Sequence, residues 1–191
     1  LPYMFTNYED CYKLIDQNWD EINKRMIAES GNMAVGWLVQ GFRVLSNSKH
    51  PIRTVEDLKG LKIRVPNNPV MINTFRAWGC EPTPLAWDET FNALQQKVVD
   101  GQENSYVVFA SNKFEEVQKY MTELRYKLQI IVMVVNDTWL KKQPADIQQA
   151  ILEGGRLATK HNREMIMAME ARLKPAMKKA AVCPKGSRAR A

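Results

Sequence analysis

Short apolar segments ended by proline or glycine alternate along this chain with longer segments of helical periodicity. Residues 61–65 have the pattern of a short strand, which Pro66 ends because proline has no N–H to donate to a sheet. Asn68 and Pro69 are the residue types preferred at a helix N-cap and in a first turn. Residues 128–135 are apolar except for Gln129, a pattern typical of a strand covered on both faces. This alternation predicts an α/β fold with mainly parallel strand pairing.

The same periodicities predict the remaining elements. They indicate helices over residues 7–30, 105–120 and 145–174, and a strand over residues 33–45. Val98 and Val99 are predicted to form a very short strand, followed by a turn at Asp100 and Gly101. On the longest helix His161 continues an apolar stripe, which predicts a packed position rather than a catalytic one.

The composition places the chain among globular proteins. Its 191 residues are 45% hydrophobic and 25% charged, which argues against disordered, collagen-like and coiled-coil chains and allows one domain or two small ones. The longest apolar run, residues 130–135, is too short to cross a bilayer. No signal-peptide pattern opens the chain, which leaves the compartment open if the chain is a mature form or a fragment.

The formal net charge of +6 comes from one end of the chain. Residues 174–191 contain six basic residues and no acidic one, and the other 21 basic residues equal the 21 acidic residues in number. The body is therefore neutral, which disfavours a basic face for nucleic acid. The tail is interpreted as a solvated chain end rather than as a binding arm.

Catalytic, metal and cofactor motifs are not found. The three cysteines, Cys11, Cys80 and Cys183, have no C-x-x-C spacing, so buried or idle thiols are favoured over a metal or disulfide framework. The two histidines have no partner at ligand spacing, and no nucleophile elbow, Walker loop or dinucleotide fingerprint occurs. No cofactor and no metal site are therefore predicted.

Arg64 is the strongest candidate for binding a ligand. It ends the predicted strand at residues 61–65, and the helix beginning at Asn68 and Pro69 follows closely. Ligands of parallel sheets gather at such strand ends, and a helix N-terminus favours anions. A guanidinium matches a carboxylate through two parallel hydrogen bonds. The alternative is that Arg64 pairs with a neighbouring acidic residue, and spacing alone leaves both open.

Three further residues have two possible roles each. Asn104 also follows a strand end, where its amide suits a ligand oxygen, but it can equally cap a helix. Trp87 can form the floor of a pocket or simply pack against the core. Arg43 is either a second positively charged residue lining the ligand site or an exposed strand residue.

Together these segments resemble the DctP-type solute-binding proteins of TRAP transporters. The blocks that carry the resemblance are GFR at 41–43, HPI at 50–52, TVEDLKGLKIRVP at 54–66, GCEPTP at 79–84, DETFNALQ at 88–95, VDGQEN at 99–104 and KFEEVQKY at 113–120. It covers about residues 1–164. Each block is weak alone, and their combination is specific.

The resemblance implies an α/β protein of the two-lobed periplasmic-binding-protein (Venus-flytrap) type, with hinge strands and a long helix. It implies a non-enzymatic periplasmic protein that captures a small organic acid between its lobes and delivers it to a membrane permease. Lobe one and a hinge strand would then contribute residues 1–43, lobe two 44–130, and a return strand with the long helix 131–175, before a basic, disordered tail at 176–191.

The resemblance also implies roles for single residues. Arg64 takes the position of the arginine that pairs with the ligand carboxylate, and Asn104 that of the asparagine lining the site. Arg43, Asn67 and Trp87 take positions that contribute to the pocket in similar proteins.

Three departures from the family pattern raise alternatives. Family members carry further strands and helices before the region where this chain starts, so the first part of lobe one is expected to be missing. Tyr126 replaces a frequent histidine, and residues 183–191 resemble out-of-frame sequence. These features predict a truncated product with poor solubility or a tendency to oligomerise, and leave a non-functional fragment as an alternative.

Two other functions remain as alternatives. An α/β enzyme could use the carboxylates of Asp88, Glu89, Asp100 and Glu103, although capping of helix starts explains them more simply. A nucleic-acid or membrane-surface module would have to act through the basic tail.

Overall fold

The computed structural model describes residues 2–180, with side chains to residue 175. Its elements are α1 (Tyr8–Gln17), α2 (Trp19–Ser30), β1 (Asn32–Asn47), β2 (Lys62–Val65), α3 (Pro69–Ala77), β3 (Glu81–Pro84), α4 (Thr90–Gln95), β4 (Gly101–Ser105), α5 (Tyr106–Ser111), β5 (Tyr120–Thr122), β6 (Leu128–Asn136), α6 (Asp137–Lys141) and α7 (Ala145–Ala180). None of the helices in this part of the chain combines the length and apolarity needed to cross a membrane.

The chain forms two compact units. Of the described residues, the first unit contains Gly41–Lys127 with residues 2–4 and 169–180, and the second contains Phe5–Gln40 and Leu128–Ala168. The assignment of segments to lobes made from the sequence stays a prediction.

The first unit is built on a mixed sheet with strand order β3-β2-β4-β1-β5. β2 pairs in parallel with both β3 and β4, as predicted, whereas β1 runs antiparallel to β4 and β5. The α/β class is therefore confirmed, but the prediction of mainly parallel pairing was too simple. The reason is that one long strand, β1, passes between β4 and β5 in the opposite direction.

Two hydrophobic clusters cover the two faces of this sheet. One cluster includes Val44, Leu94 and Phe109, and the other includes Leu45 and Phe75. Val44 and Leu45 are neighbours in β1, so their side chains point to opposite faces. Burying one such large apolar side chain contributes about 1.5–3 kcal/mol, which makes both faces strongly stabilising.

The central strand β4 lies where the sequence predicts a turn and the start of a helix. Gly101 begins the strand because its backbone passes very close to β1: an added Cβ would lie 2.1 Å from the carbonyl oxygen of Ser46. The strand that follows is buried and polar along its whole length. The predicted strand at Val98 and Val99 was wrong because hydrophobicity does not mark the residues that pair here.

Two elements near the edges also differ from the prediction. Strand β3 is not among the predicted strands, and it tolerates its two prolines because it lies at the sheet edge. The helix predicted over 105–120 ends at Ser111, and β5 was missed.

The second unit contains helices α1 and α2, which Asn18 separates, and the first part of β1. Helix α7 packs against this part of β1 through small and polar residues. The N–H of Trp37 donates to Thr159 Oγ1 at 2.9 Å, and the N–H of Val39 donates to Asn162 Oδ1 at 2.7 Å. The predicted packed position of His161 is wrong, because His161 is exposed. The face of α7 that contacts β1 instead carries the side chains that accept from the β1 N–H groups.

Strand β6 and the end of α7 also depart from the prediction. β6 pairs with β1, but Ile131 and Val134 are exposed rather than covered on both faces. α7 continues past the expected end near Lys174, through Pro175, to Ala180. Cys183 and most of the basic tail lie outside the described residues.

Candidate carboxylate-binding site

Arg64 lies at the end of β2 and is only 4% exposed. Its Nε and Nη2 donate to the carbonyl oxygen of Leu85 at 3.1 and 2.8 Å. The alternative of a salt bridge to a neighbouring acid is not what the structure shows, because Arg64 makes no ion pair with any described residue. Burial lowers the pKa of Arg64, against the charge of Glu103, but an arginine stays protonated near neutral pH.

Trp87 lies beside this guanidinium. The carbon at the centre of the Arg64 guanidinium is 5.5 Å from the centroid of the Trp87 ring, a distance at which a cation and an aromatic face attract each other. The ring also contacts Phe114 edge-on at 5.7 Å. Trp87 is nevertheless 42% exposed, so it packs against the core with one part and offers the rest as an apolar wall.

Asn104 lies at the end of β4 and is 5% exposed. It does not cap the following helix, because Ser105 Oγ accepts from the N–H of Val108 and fills that role. The Oδ1 of Asn104 accepts from the N–H of Ser105 at 3.0 Å. Its Nδ2 donates to none of the described residues, so an amide donor remains for a ligand.

Arg43 is a buried residue, not an exposed strand residue, and pairs with Glu103. Arg43 donates through Nε to Glu103 Oε2, and through Nη2 to Oε1 at 2.6 Å and to the Glu103 carbonyl oxygen at 2.9 Å. Tyr126 donates its hydroxyl to Glu103 Oε2 at 2.7 Å. Burial alone would lower the pKa of Arg43. The charge and the hydrogen bonds of the Glu103 carboxylate together outweigh burial, so the pKa of Arg43 is raised. Burial also raises the pKa of Tyr126, which stays a phenol.

Lys127 was not singled out from the sequence. Its carbonyl oxygen accepts from the N–H of Arg43 at 2.9 Å, and its half-buried side chain places Nζ 3.7 Å from the Sδ of Met71 in α3. Burial and the charge of Arg43 lower the pKa of Lys127, while Glu103 acts in the opposite direction. No local pattern marks this lysine, because its neighbours come from segments distant in the sequence.

The strand register shows how these groups are arranged. Arg64 is paired with Gln102, which lies on the same face of the sheet as Asn104. Glu103 lies on the opposite face, together with Arg43. Arg64 is the third of four residues in β2 and Asn104 the fourth of five in β4, so both lie near the carboxyl ends of these parallel strands.

Asn67 is less closely connected to the cluster. It is exposed in the turn between β2 and α3, and its side chain makes no hydrogen bond to the described residues. The side chain that caps α3 is that of Asn68, which accepts from the N–H of Met71 at 3.0 Å, as predicted.

Three of the four carboxylates considered for an enzyme, all except Asp88, have structural contacts. Asp100 accepts from the N–H of Lys62 at 2.9 Å, Glu89 accepts from the N–H of Ala86 at 3.2 Å, and Glu103 neutralises Arg43. Over residues 2–180, no group of three or more acidic, histidine or cysteine side chains is arranged to hold a metal ion. The cysteines Cys11 and Cys80 are buried and unbridged, and burial raises the pKa of Cys80 to about 12.

A family model decides the class of the chain. The model described as bacterial extracellular solute-binding protein, family 7 (DctP), matches residues 1–184. The chain belongs to this family. The relationship expected from the sequence is therefore confirmed, and the members of family 7 are extracytoplasmic transport proteins that bind solutes, not enzymes.

Similar proteins are known in sequence and in structure. A solute-binding protein of Verminephrobacter eiseniae is 36% identical over 166 residues, which are 87% of this chain and 50% of that protein. A TRAP periplasmic solute-binding protein of Rhodobacter sphaeroides is 44% identical with a TM-score of 0.80, covering 94% of this chain and 58% of its own. One from a Polaromonas species, bound to D-erythronate, is 32% identical with a TM-score of 0.86, covering 95% and 60%. The chain thus spans between half and three-fifths of the length of these family 7 proteins.

Proposed function

We propose that this chain is the ligand-capturing part of a periplasmic TRAP solute-binding protein, which binds a small organic acid through Arg64 and delivers it to a membrane permease. The observation that carries the proposal is the state of Arg64, a buried cation that donates to one carbonyl oxygen and has no carboxylate partner among the described residues. A buried charge without a counter-charge is unfavourable, and a ligand carboxylate would supply one.

The surroundings of Arg64 support an acid with a short polar or apolar body. The unused Nδ2 of Asn104 adds a donor for a carboxylate or hydroxyl oxygen, and the exposed part of Trp87 adds an apolar wall. Asn67 is proposed to line the same site, and Arg43, which forms an ion pair with Glu103, to contribute to ligand binding beside it. The Polaromonas relative was crystallised with D-erythronate, a carboxylate of this size, which supports the same chemistry here.

The decisive experiment is calorimetric titration of D-erythronate into the chain and into Arg64→Ala. Charge-assisted hydrogen bonds contribute about 1.5–3 kcal/mol each, so the loss of Arg64 should weaken binding by at least about tenfold. The matched control is Arg76→Ala, because Arg76 is exposed on α3 and, within the described part of the chain, donates only to Asn73.

Arg43→Ala, the control that the sequence alone would propose, is less suitable because it leaves Glu103 buried without its cation. Equal affinities for Arg64→Ala and Arg76→Ala would overturn the assignment of Arg64. Absence of binding to the unmodified chain would favour the alternative of a non-functional fragment.

A further inference from the structure

Strand β6 has an uncovered edge in the second unit. It spans Leu128–Asn136 and pairs with β1, and with no other strand among residues 2–180. It contains no charged residue and no proline, the residue types that usually protect an edge strand from pairing with another chain. Ile131 and Val134, which lie on opposite faces of the strand, are 39% and 53% exposed. β6 is therefore an apolar edge strand without the usual protection.

The first unit protects both edges of its own sheet. The edge strand β3 carries Pro82 and Pro84, which have no N–H to donate, and β5 at the other edge is only three residues long. β6, with nine residues, has neither kind of protection. This difference within one chain indicates that the edge of β6 is an interaction surface.

A second copy of β6 fits this edge. An antiparallel pair centred on Val132 uses all nine residues of the strand and places Ile130 opposite Val134 of the second copy. It also places Ile131 opposite Met133. Each exposed apolar side chain then has an apolar neighbour on the same face, and such cross-strand pairs contribute about 0.2–1 kcal/mol each.

The charges that flank β6 favour the same arrangement. Lys127 precedes the strand and Asp137 follows it. Antiparallel pairing brings the end with Lys127 to the end with Asp137 in the other copy. Parallel pairing would bring like charges together, which is unfavourable across strands. The two ends of β6 are therefore complementary to a second copy that runs in the opposite direction.

Pairing would also enlarge a sheet that is small in a single copy. In the second unit β6 pairs only with β1 among the described strands, and the N–H groups of Trp37 and Val39 in β1 already donate to side chains of α7. Two copies together form four strands across the twofold axis, and a sheet needs at least about three strands or helix packing to be stable. Nine residues pair over about 30 Å, which is a small interface, so the association is reversible.

We propose that the open edge of β6 is a dimerisation surface, at which a second copy of this chain pairs through its own β6, antiparallel and centred on Val132. The surface belongs to the second unit, whereas Arg64 and the candidate site belong to the first. The inference therefore goes beyond the proposed function and does not depend on it.

Sedimentation equilibrium of the 191-residue chain, over about a hundredfold range of concentration, measures the association. We expect a reversible equilibrium between monomer and dimer. Val134→Lys should weaken dimerisation by at least about tenfold, because it places a lysine opposite an apolar side chain twice in each dimer. The matched control is Leu157→Lys, which adds the same charge at an exposed leucine of α7 and should leave the equilibrium unchanged.

Cysteine cross-linking tests the register of the two strands. All cross-linking variants also carry Cys183→Ser, because the other two cysteines, Cys11 and Cys80, are buried. Val132→Cys should form a disulfide between two copies on oxidation. Opposite residues of an antiparallel pair have Cα atoms about 4.5–5.5 Å apart, a distance that a disulfide can bridge.

Ile130→Cys is the matched control on the same face of β6. Its counterpart in the second copy lies about 14 Å away along the strand, so this variant should not cross-link to itself. It should cross-link to Val134→Cys when the two variants are mixed, because those positions lie opposite each other.

Three outcomes would overturn the proposal. The first is an unmodified chain that stays monomeric over the whole concentration range. The second is a dimer that Val134→Lys and Leu157→Lys weaken equally, which would place the contact elsewhere. The third is cross-linking of Ile130→Cys to itself as readily as Val132→Cys, which would show that the strands do not pair in this register.

Discussion

The two units of this chain differ in how they bury apolar surface. Both hydrophobic clusters found among the described residues belong to the first unit, where strands and helices cover two faces of one sheet. In the second unit, large apolar side chains remain exposed; these are Leu14, Ile131, Val134, Trp139, Ile147, Leu152, Leu157, Met165 and Met167. A groove of about 910 Å³ lined by Trp19, Ile27 and Trp37 adds to this surface.

This contrast indicates which of the two units is stabilised by its own packing. The candidate site is built entirely from the first unit, whose sheet has a strand on each side of β4 and β1. In the second unit, β6 pairs with β1 and with no other strand among residues 2–180. A two-stranded arrangement is marginal without further packing, so the second unit depends on α7 and its side-chain hydrogen bonds.

The largest effect is expected from Glu103→Ala in the first unit. The substitution removes the carboxylate that neutralises buried Arg43 and should destabilise the fold by about 3–5 kcal/mol. Urea denaturation followed by circular dichroism measures the change. The control is Glu153→Ala in the second unit, which breaks an exposed pair with Arg156 and should change nothing measurable. Comparable losses in both variants would contradict the contrast between the units.

A smaller loss is expected from removing apolar core in the first unit. Leu45 is fully buried in the cluster beside Phe75, so Leu45→Ala should cost about 2–5 kcal/mol. The same urea titration checks it, with Leu157→Ala on the exposed side of α7 as the comparison. A loss in Leu157→Ala as large as in Leu45→Ala would show that the second unit has a core after all.

The second unit should respond to the loss of one side-chain acceptor. Thr159→Val keeps the shape of the side chain but leaves the N–H of Trp37 without its acceptor, at a cost of about 1 kcal/mol. Thr159→Ser retains the hydroxyl and should stay near the unmodified chain. Hydrogen exchange at the Trp37 amide gives a direct readout, and unchanged protection in Thr159→Val would show that α7 does not hold β1 in this way.

The smallest effect on stability is expected from Val134→Lys on β6. Val134 is 53% exposed, so the free energy of unfolding should change by less than about 0.5 kcal/mol. A charge on an exposed apolar strand opposes pairing between chains, so the variant should self-associate less in size-exclusion chromatography with light scattering. An unmodified chain that is already a monodisperse, cooperatively melting monomer would refute the expected self-association.

The sequence predicted elements whose signals are local. The segment from β2 to α3 could be found because Pro66 ends the strand and Asn68 caps the helix, both within a few residues. β4 could not be found in this way, since Gln102 and Glu103 have no strand preference and are held by pairing with strands on both sides. The faces of α7 were also mispredicted, because its contacts follow backbone donors of β1 rather than hydrophobicity.

As with the fold, the parts of the candidate site that have local sequence signals could be predicted. Arg64 could be proposed from a strand end followed by a helix start, and the family resemblance extended this to Asn104 and Trp87. The pairing of Arg43 with Glu103 joins residues 60 positions apart, so no spacing rule reveals it. The surroundings of Lys127 also arise from the tertiary structure, because its contacts are with α3 and β1. They could therefore not be predicted from the sequence around position 127.

Gly101 has a consequence that reaches beyond its own strand. Since any side chain there would collide with the Ser46 carbonyl, this position limits how closely β1 and β4 can approach, and so how well Arg43 meets Glu103 two residues further along. An alanine at position 101 should therefore disturb the geometry of the proposed site, although Gly101 has no side chain that could bind a ligand. Mutagenesis restricted to residues with polar or charged side chains would miss Gly101, which matters because it has no side chain.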